Sequence, residues 1–310
     1  MQDTIPRRLA AALAVCLAFG LLAAAGCSPE VPAPGMPELP DTDIYVARAG
    51  QGAEGLWVGE PQNVTRRPGY DNQPSFLPGG DGFLYTAIRD DMQADTWHYD
   101  LQSRSLRRVT ASLESEFSPT VMPGGQGFST VRAEPDGIVR LWGWPMDGRS
   151  PRVLLRDITG VAFHAWIDED TVALAIARGG DELILEVVEV PSGRERVLAR
   201  GIGRCLHPFP GGRNIAYVDK ANPEAWTIRV LDLESGAFLR TIPTRPGAED
   251  FVVLSGGEIV MAEGRRLFRH APGSDDWTLL ADWSERLEGR ITRLAASPDG
   301  QKLALVVRGS

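Results

Sequence analysis

Two histidines are the residues of this sequence with the clearest capacity for chemistry. His164 and His207 occupy nearly matching places in two successive segments of β-strand type, and Glu116 and Asp250 occupy comparable places in other segments. Imidazole and carboxylate groups suit Zn, Mn or Ni as ligands, and they also exchange protons. One hypothesis is therefore a metal or acid–base site. The alternative is that these side chains are polar because they line a water-filled channel.

No other motif specifies a reaction. The sequence contains no HExxH, no phosphate-binding P-loop, no CxxC pair, no EF-hand loop and no Gly-x-Ser-x-Gly nucleophile elbow. The formal net charge of −9 argues against a surface that follows a nucleic-acid backbone. We therefore expect no catalytic residue, no cofactor and no nucleic-acid partner, with a metal on His164 and His207 as the speculative exception.

The elements that must position these residues are short strands that recur along the chain. Residues 70–110 contain four strand-like runs bounded by turns, one of which is Pro-Gly-Gly-Asp-Gly at 78–82. A second copy over 115–155 carries Pro-Gly-Gly at the matching place, and three further copies follow. Recurrence of a four-strand unit at this spacing is typical of β-propellers, in which each unit is one blade.

A sixth copy is divided between the two ends of the chain. Residues 290–308 supply its first two strands, and 43–65 supply the other two. Joining the ends in one blade leaves no frayed terminal unit. The sequence therefore predicts an all-β fold, a six-bladed β-propeller of four-stranded antiparallel blades that is closed by N-terminal strands completing the last blade.

In such a fold the first strand of each blade lines the central channel, and the residues at its start face one mouth. Reading these positions around the ring predicts a polar collar, which we propose would hydrogen-bond and ion-pair with an inserted segment. The collar comprises Asp71, Asn72, Glu116, His164, His207, Glu249, Asp250 and Arg293.

Tryptophans and a basic cluster each allow two interpretations. Exposed rings would stack on sugars, but Trp97, Trp142 and Trp226 fall at equivalent third-strand positions, which favours packing between blades. The arginines within 104–108 lie on a predicted outer strand, where charge discourages edge-to-edge pairing without any ligand.

The N-terminus has the composition of an export signal. Residues 1–26 combine Arg7 and Arg8 with an apolar run of alanine and leucine, and small residues then precede Cys27. This pattern resembles the lipobox of bacterial lipoproteins, which implies that Cys27 is lipidated. Ser28 resembles the residue that directs such lipoproteins to the outer membrane. An ordinary secretory signal with an incidental cysteine is the alternative.

The remaining chain divides into a spacer and a domain. Residues 27–42, which begin with the lipidated cysteine, are rich in proline and acidic residues and read as a semi-rigid tether. Residues 43–310 make up the predicted propeller. More than one acyl chain on Cys27 would anchor the protein stably to the membrane.

Three stretches carry a family resemblance: the Ser-Pro-Asp-Gly turn with its strand at 297–306, Asp-Ile-Tyr-Val at 43–46 and the strand that ends in Leu-Arg-Arg-Val-Thr at 110. They resemble the propeller of TolB, a periplasmic partner in a cell-envelope complex, and the resemblance extends over 43–310. TolB also has an α/β domain before its propeller, where this chain has the tether. A similar propeller also occurs beside the hydrolase domain of prolyl peptidases, but because the sequence has no Gly-x-Ser-x-Gly elbow we expect the propeller alone here.

These observations lead to one expected function and one alternative. We expect a monomeric, non-catalytic lipoprotein on the periplasmic side of the outer membrane, which binds a protein or another envelope component at the channel mouth. The alternative is a metal-dependent polysaccharide lyase or hydrolase that uses His164 and His207.

Overall fold

The computed structural model describes residues 40–309 except positions 54, 90, 91, 180 and 181. Within these residues every regular element is a β-strand, so the predicted all-β class is confirmed. The described residues include no apolar helix long enough to cross a membrane. The predicted export signal, Cys27 and most of the tether lie outside them.

Three strands open the described chain, and the first of them is long enough to pair with both of the others. The pairing is antiparallel in each case. The bounds are β1 Thr42–Gly52, β2 Gly55–Val58 and β3 Gln62–Asn63.

Two four-stranded antiparallel groups follow, in which strands are neighbours in chain order. Their bounds agree closely with the first two predicted repeats, because turn residues punctuate both. The first group contains β4 Tyr70–Phe76, β5 Gly82–Ile88, β6 Ala94–Asp100 and β7 Leu106–Arg108. The second contains β8 Ser115–Val121, β9 Gly127–Ala133, β10 Val139–Pro145 and β11 Arg152–Val153.

The next sheet has seven strands and departs from prediction at one point. The sequence predicts separate strands ending at 199 and starting at 204, whereas β15 runs through both and pairs first with β14 and then with β16. Gly201, with φ of 64°, lets the backbone bend there without ending the strand. The bounds are β12 Val161–Trp166, β13 Thr171–Ala177, β14 Leu183–Glu189, β15 Arg194–Phe209, β16 Asn214–Asp219, β17 Thr227–Asp232 and β18 Phe238–Pro243.

The last six strands form one more antiparallel group and a final pair. The group contains β19 Phe251–Val253, β20 Ile259–Glu263, β21 Arg266–His270 and β22 Trp277–Asp282. The pair is β23 Arg290–Ala296 and β24 Lys302–Arg308.

The two ends of the described chain meet in one sheet. β24 pairs antiparallel with β23 on one side and with β1 on the other, where Ile44 lies opposite Val306. A parallel contact between Thr42 and Tyr70 joins this sheet to β4. Strands from opposite ends of the sequence are therefore hydrogen-bonded neighbours.

Burial decreases from the inner strands of each group to its last strand. β5 is buried throughout, whereas all three residues of β7 are exposed. Apolar side chains of neighbouring groups pack face to face, as in the core cluster that contains Ile88, Leu141 and Val161. This packing brings six strands into mutual contact in the order β4, β8, β12, β15, β19, β23 and back to β4. They are named here the first strands, because each begins one of the predicted repeats, β15 with its second half.

Two of the first strands, β4 and β8, share a backbone irregularity. The pairing of β4 with β5 and that of β8 with β9 both shift register near the middle of the strand. At these bulges Gln73 and Ser118 adopt left-handed φ values of 58° and 52°, and each precedes a proline. Such a conformation costs a non-glycine residue about 1–3 kcal/mol and is concentrated at functional sites. Both strained residues therefore lie beside the space that the first strands enclose.

Candidate functional site: the central cavity

The first strands surround a cavity of about 750 Å3, named here the central cavity. All six contribute lining residues, and the turns that follow them complete the rim with residues such as Pro78 and Pro123. The volume lies within the range of roughly 300–1,000 Å3 that is usual for ligand pockets. The cavity lies toward the C-terminal ends of these strands, whereas the collar was predicted at their starts.

The structure divides the predicted collar into two sets. Four of its residues line the central cavity: His164, His207, Asp250 and Arg293. The other four do not line it: Asp71, Asn72, Glu116 and Glu249. Ser118 and Arg204 also line the cavity and were missed by sequence reasoning. The matching Gln-Pro and Ser-Pro pairs of the first two repeats are the signal that could have indicated Ser118.

Asp71 and Asn72 stabilise the start of β4. The carboxylate of Asp71 is fully buried and pairs with Arg67, with 2.8 Å between Oδ1 and Nη2. Burial raises the pKa of Asp71, against the lowering effects of Arg67 and Arg89. Gln73 N donates a hydrogen bond of 2.8 Å to Asn72 Oδ1, which supports the left-handed backbone at Gln73.

Glu116 holds the connection between β7 and β8. Its buried carboxylate accepts hydrogen bonds from Thr110 Oγ1 at 3.0 Å and from Ser112 Oγ, and Arg132 Nε lies 3.8 Å away. Burial raises the pKa of Glu116 to about 7, because these neighbours offset only part of the desolvation. Glu116 is therefore partly protonated at neutral pH.

His164 is a buried, neutral imidazole. Its Nε2 lies 2.6 Å from Ser129 Oγ, and Trp166 Nε1 donates to the same hydroxyl at 2.9 Å. Burial lowers the pKa of His164 to about 3. Its Nδ1 is buried without a hydrogen-bond partner among the described residues.

His207 contacts a different neighbour. Its ring centroid lies 5.3 Å from that of Phe251 in β19, whereas the partner of His164 is Ser129 in β9. Burial lowers the pKa of His207 as well. Within the part of the chain that the structure describes, no three His, Cys, Asp or Glu side chains are grouped so that they could hold a metal ion.

Asp250, Glu249 and Arg204 form a polar junction between neighbouring groups of strands. Leu294 N donates to Asp250 Oδ1 at 2.8 Å, and Asp250 Oδ2 lies 3.6 Å from Arg204 Nε. Arg204 N donates to Glu249 Oε1 at 2.8 Å, and Arg204 Nη2 donates to Thr292 O at 2.6 Å. The junction links β15, the start of β19 and β23 across one wall of the cavity.

Arg293 carries the least compensated charge of the cavity. Its guanidinium carbon lies over the Phe163 ring, 5.6 Å from the centroid. No carboxylate of the described residues forms an ion pair with it. Arg293 is half-buried and is part of the cavity lining. Its charge is therefore partly shielded from solvent.

The tryptophans at equivalent third-strand positions lie beneath cationic side chains of their own groups of strands, which cover one face of each ring against a sugar. The pairs and their distances to the ring centroid are Trp97 with Arg89 at 4.4 Å, Trp142 with Arg132 at 4.4 Å and Trp226 with Lys220 at 4.0 Å. In the basic cluster, Arg108 pairs with the buried Asp95 at 2.6 Å.

A second cavity of about 410 Å3 lies beside the β1–β2 hairpin and the turns after β19 and β23. Trp57, which is 45% exposed, lies at its edge and packs against Gly50, where a Cβ would come within 2.9 Å of the indole. The buried carboxylate of Glu258 also lines this second cavity. It forms an ion pair with Arg269 and accepts a hydrogen bond from Gln51, at 2.6 Å in each case. Because that charge is compensated within the chain, the central cavity is the stronger candidate for a ligand site.

Neither a protein-family model nor a curated protein matches the chain. Solved structures match most of it. A structure assigned as TolB from Agrobacterium tumefaciens is 16% identical, with a TM-score of 0.70 over 87% of this chain and 99% of that one. TolB from Acinetobacter baumannii is 16% identical, with a TM-score of 0.58 over 87% of this chain and 65% of that one. An oligogalacturonate lyase in complex with manganese is 12% identical, with a TM-score of 0.52 over 88% and 98%.

At these identities the similarity concerns the fold. The described domain is a TolB-like β-propeller, as the sequence resemblance implied. The same architecture occurs in an enzyme and in TolB, so the fold does not decide between binding and catalysis.

Proposed function

We propose that the chain is a non-catalytic envelope lipoprotein whose TolB-like propeller binds a protein segment, or another envelope component, in the central cavity. One observation carries the proposal: all six first strands contribute to a cavity of ligand size that contains polar and charged side chains. The similarity in fold to TolB supports an envelope role by analogy.

The proposal includes a ring of six blades. The blades are β4–β7, β8–β11, β12–β14 with the first half of β15, the second half of β15 with β16–β18, β19–β22, and β23 and β24 with β1 and β3. The pairing of β24 with β1 supports closure of the ring by the N-terminal strands. The unbroken order of contacts among the first strands supports the count.

The proposal also includes a location in the cell. Residues 1–26 would be the export signal, 27–42 the tether with a lipidated Cys27, and 43–310 the propeller, a monomer on the periplasmic side of the outer membrane. Labelling of cells with a radioactive fatty acid tests the anchor. We expect the wild-type protein to carry the label and the Cys27→Ser variant to carry none, and an unlabelled wild-type protein contradicts lipidation.

The alternative, a metal-dependent polysaccharide lyase or hydrolase, has less support. Its two proposed ligands, His164 and His207, contact side chains of different neighbouring groups. The similarity to the oligogalacturonate lyase is a similarity of fold at 12% identity.

A cavity-filling substitution tests the proposed function. Ala295 is partly buried in the lining, so we expect Ala295→Trp to fill part of the cavity and weaken binding of the partner at least about ten-fold. The partner is first isolated by pull-down from solubilised envelopes, then purified and titrated against the full chain. Ala237→Trp, in the exposed turn before β18, is the matched control.

Thr120→Trp provides a second position in the lining if Ala295→Trp does not fold. Circular dichroism and the unfolding temperature establish that each variant is folded. Undiminished affinity in both folded lining variants contradicts the proposal, as does repeated failure to isolate any envelope partner.

A further inference from the structure

We propose that the central cavity binds a peptide segment through a carboxylate group, with Arg293 as its charged partner. The inference rests on the function proposed above and names the chemistry of the ligand. Three features carry it: an uncompensated guanidinium, buried polar atoms without partners, and an aromatic lining with no exposed ring face.

The guanidinium of Arg293 is available to an anion. It lies over the Phe163 ring and makes no ion pair with a described residue, whereas Arg204 in the same lining approaches Asp250 at 3.6 Å. A guanidinium presents its N–H donors in a planar fork that matches a carboxylate. An anion that enters the cavity would therefore meet a cation that forms no ion pair with any described residue.

Two residues of the lining each carry a buried polar atom without a hydrogen-bond partner in the described chain. These atoms are Ser118 Oγ and His164 Nδ1. Ser118 and His164 are each only 8% exposed. Because an unsatisfied buried polar group costs about 1–3 kcal/mol, such a set in one cavity indicates a place for a ligand or ordered water.

The groups around the cavity suit a ligand that accepts hydrogen bonds. The guanidinium of Arg293 can only donate, and the Ser118 hydroxyl can donate as well as accept. His164 Nδ1 donates or accepts according to the tautomer of the imidazole, whose Nε2 lies 2.6 Å from Ser129 Oγ. An acceptor such as a carboxylate oxygen therefore satisfies the guanidinium and the hydroxyl together.

The charge of the cavity agrees with an anionic ligand. Its charged lining residues are Arg204, Arg293 and Asp250. The carboxylate of Asp250 accepts a hydrogen bond from Leu294 N and forms an ion pair with Arg204. The histidines are neutral, so the lining is net positive in a chain of net charge −9. A concave positive site attracts anions, and this attraction weakens as salt increases.

The lining favours a peptide over an acidic sugar. Phe76, Phe163 and Trp166 are its phenylalanine and tryptophan residues, and they are 6%, 3% and 7% exposed. They therefore offer no open face on which a sugar ring could stack. Partly buried aliphatic residues of the lining, such as Val253 and Ala295, suit the side chains of a peptide.

Fluorescence anisotropy with the purified full chain tests the inference. The probe is a dye-labelled pentapeptide of alternating alanine and glutamate with blocked ends, and its competitors are the same peptide with glutamine, inorganic phosphate and galacturonate. We expect the glutamate peptide to bind at least about ten-fold more tightly than the glutamine peptide, and more weakly in high salt.

Variants assign the binding to the proposed residue. Arg293→Gln is expected to lower the affinity for the glutamate peptide at least about ten-fold, and Arg293→Lys is expected to retain part of that affinity. Arg107→Gln removes the same charge from the exposed strand β7 and is expected to leave the affinity unchanged.

Several outcomes overturn the inference: no saturable signal at millimolar glutamate peptide, equal binding of the two peptides, or equal affinity in Arg293→Gln. Tighter binding of phosphate or galacturonate than of the glutamate peptide also overturns it, in favour of that anion. If Arg293→Gln holds the envelope partner as well as wild type while Ala295→Trp loses it, this inference fails and the proposed function stands. If Ala295→Trp keeps the partner while peptide binding depends on Arg293, the proposed function fails and the carboxylate site stands.

Discussion

Glu114 and Glu116 lie two residues apart and share Arg132 as a neighbour, yet the fold shifts their pKa values in opposite directions. Burial raises the pKa of Glu116 to about 7, whereas at Glu114 burial is outweighed by the combined hydrogen bond and charge of Arg132 and the hydrogen bond from Ser112, so the pKa is lowered. The difference follows from exposure, since the side chain of Glu116 is fully buried and that of Glu114 is 18% exposed. The two carboxylates should therefore affect stability with opposite dependence on pH.

The raised pKa of Glu116 predicts that the protein loses stability as pH rises. The unfolded carboxyl ionises near 4.5, whereas the folded one keeps its proton up to about pH 7. Between these values the folded state binds more protons, so the free energy of unfolding falls with increasing pH. Glu116→Gln cannot ionise. The difference in the free energy of unfolding between variant and wild type should therefore shift in favour of the variant by on the order of 3 kcal/mol between pH 4.5 and a pH above 7.

Urea denaturation across this pH range measures the effect, and the difference between variant and wild type isolates Glu116. Glu114→Gln is the control of opposite sign. Its lowered pKa stabilises the folded state above the unfolded pKa and loses this effect as pH falls, so its removal should destabilise the protein at pH 7. A pH-independent difference between Glu116→Gln and wild type contradicts the assignment.

At the scale of elements, the turns decide how closely neighbouring groups of strands approach. Gly148, between β10 and β11, has φ of 73°, and a Cβ there would lie 2.0 Å from Val109 O, just after β7. Gly137, between β9 and β10, has φ of 85° and no atom within 4 Å of such a Cβ. Both glycines supply left-handed backbone, but only Gly148 also permits a close contact between groups.

The two glycines form a matched pair for substitution. Gly137→Ala should cost about 1–2 kcal/mol for the left-handed conformation alone. Gly148→Ala should cost about 1–3 kcal/mol more, because the methyl group meets backbone that must move. Urea denaturation midpoints measure both costs. Equal costs for the two variants would mean that the contact with Val109 is easily relaxed.

At the scale of the whole molecule, residues from both ends of the chain share one core. Ile44 of β1 is fully buried in a cluster with Phe83 of β5 and Val306 of β24. This cluster connects the strands at the two ends to the first complete group. The proposed closure therefore makes β1 essential for the stability of the domain.

Ile44→Ala tests that expectation. Removal of a buried isoleucine side chain should lower the free energy of unfolding by about 2–5 kcal/mol and reduce the hydrogen-exchange protection of β24 amides. Val197→Ala, at a position that is 50% exposed, should change stability by less than about 0.5 kcal/mol. A similarly small effect of Ile44→Ala would show that the N-terminal strand adds little to the domain.

The candidate site was only partly predictable from the sequence. His164, His207, Asp250 and Arg293 were recognised as polar residues on first strands, and all four line the central cavity. Ser118 was not recognised, because its importance comes from a bulge and an unpartnered hydroxyl. Such features depend on how one strand is packed against the next, and the Ser-Pro pair marks only the position at which they occur.

The sequence by itself determined the all-β class, the repeating four-strand unit and most strand positions, because glycine and proline turns and short apolar runs act locally. The tertiary structure alone decided that β15 continues through Gly201 and that the cavity lies toward the ends of the first strands. It also decided that Glu116 is buried with local donors, while Arg293 forms no ion pair with a carboxylate of the described residues. The physical reason is that burial and charge pairing depend on side chains from neighbouring groups of strands, which are distant in sequence and meet only when the chain has folded.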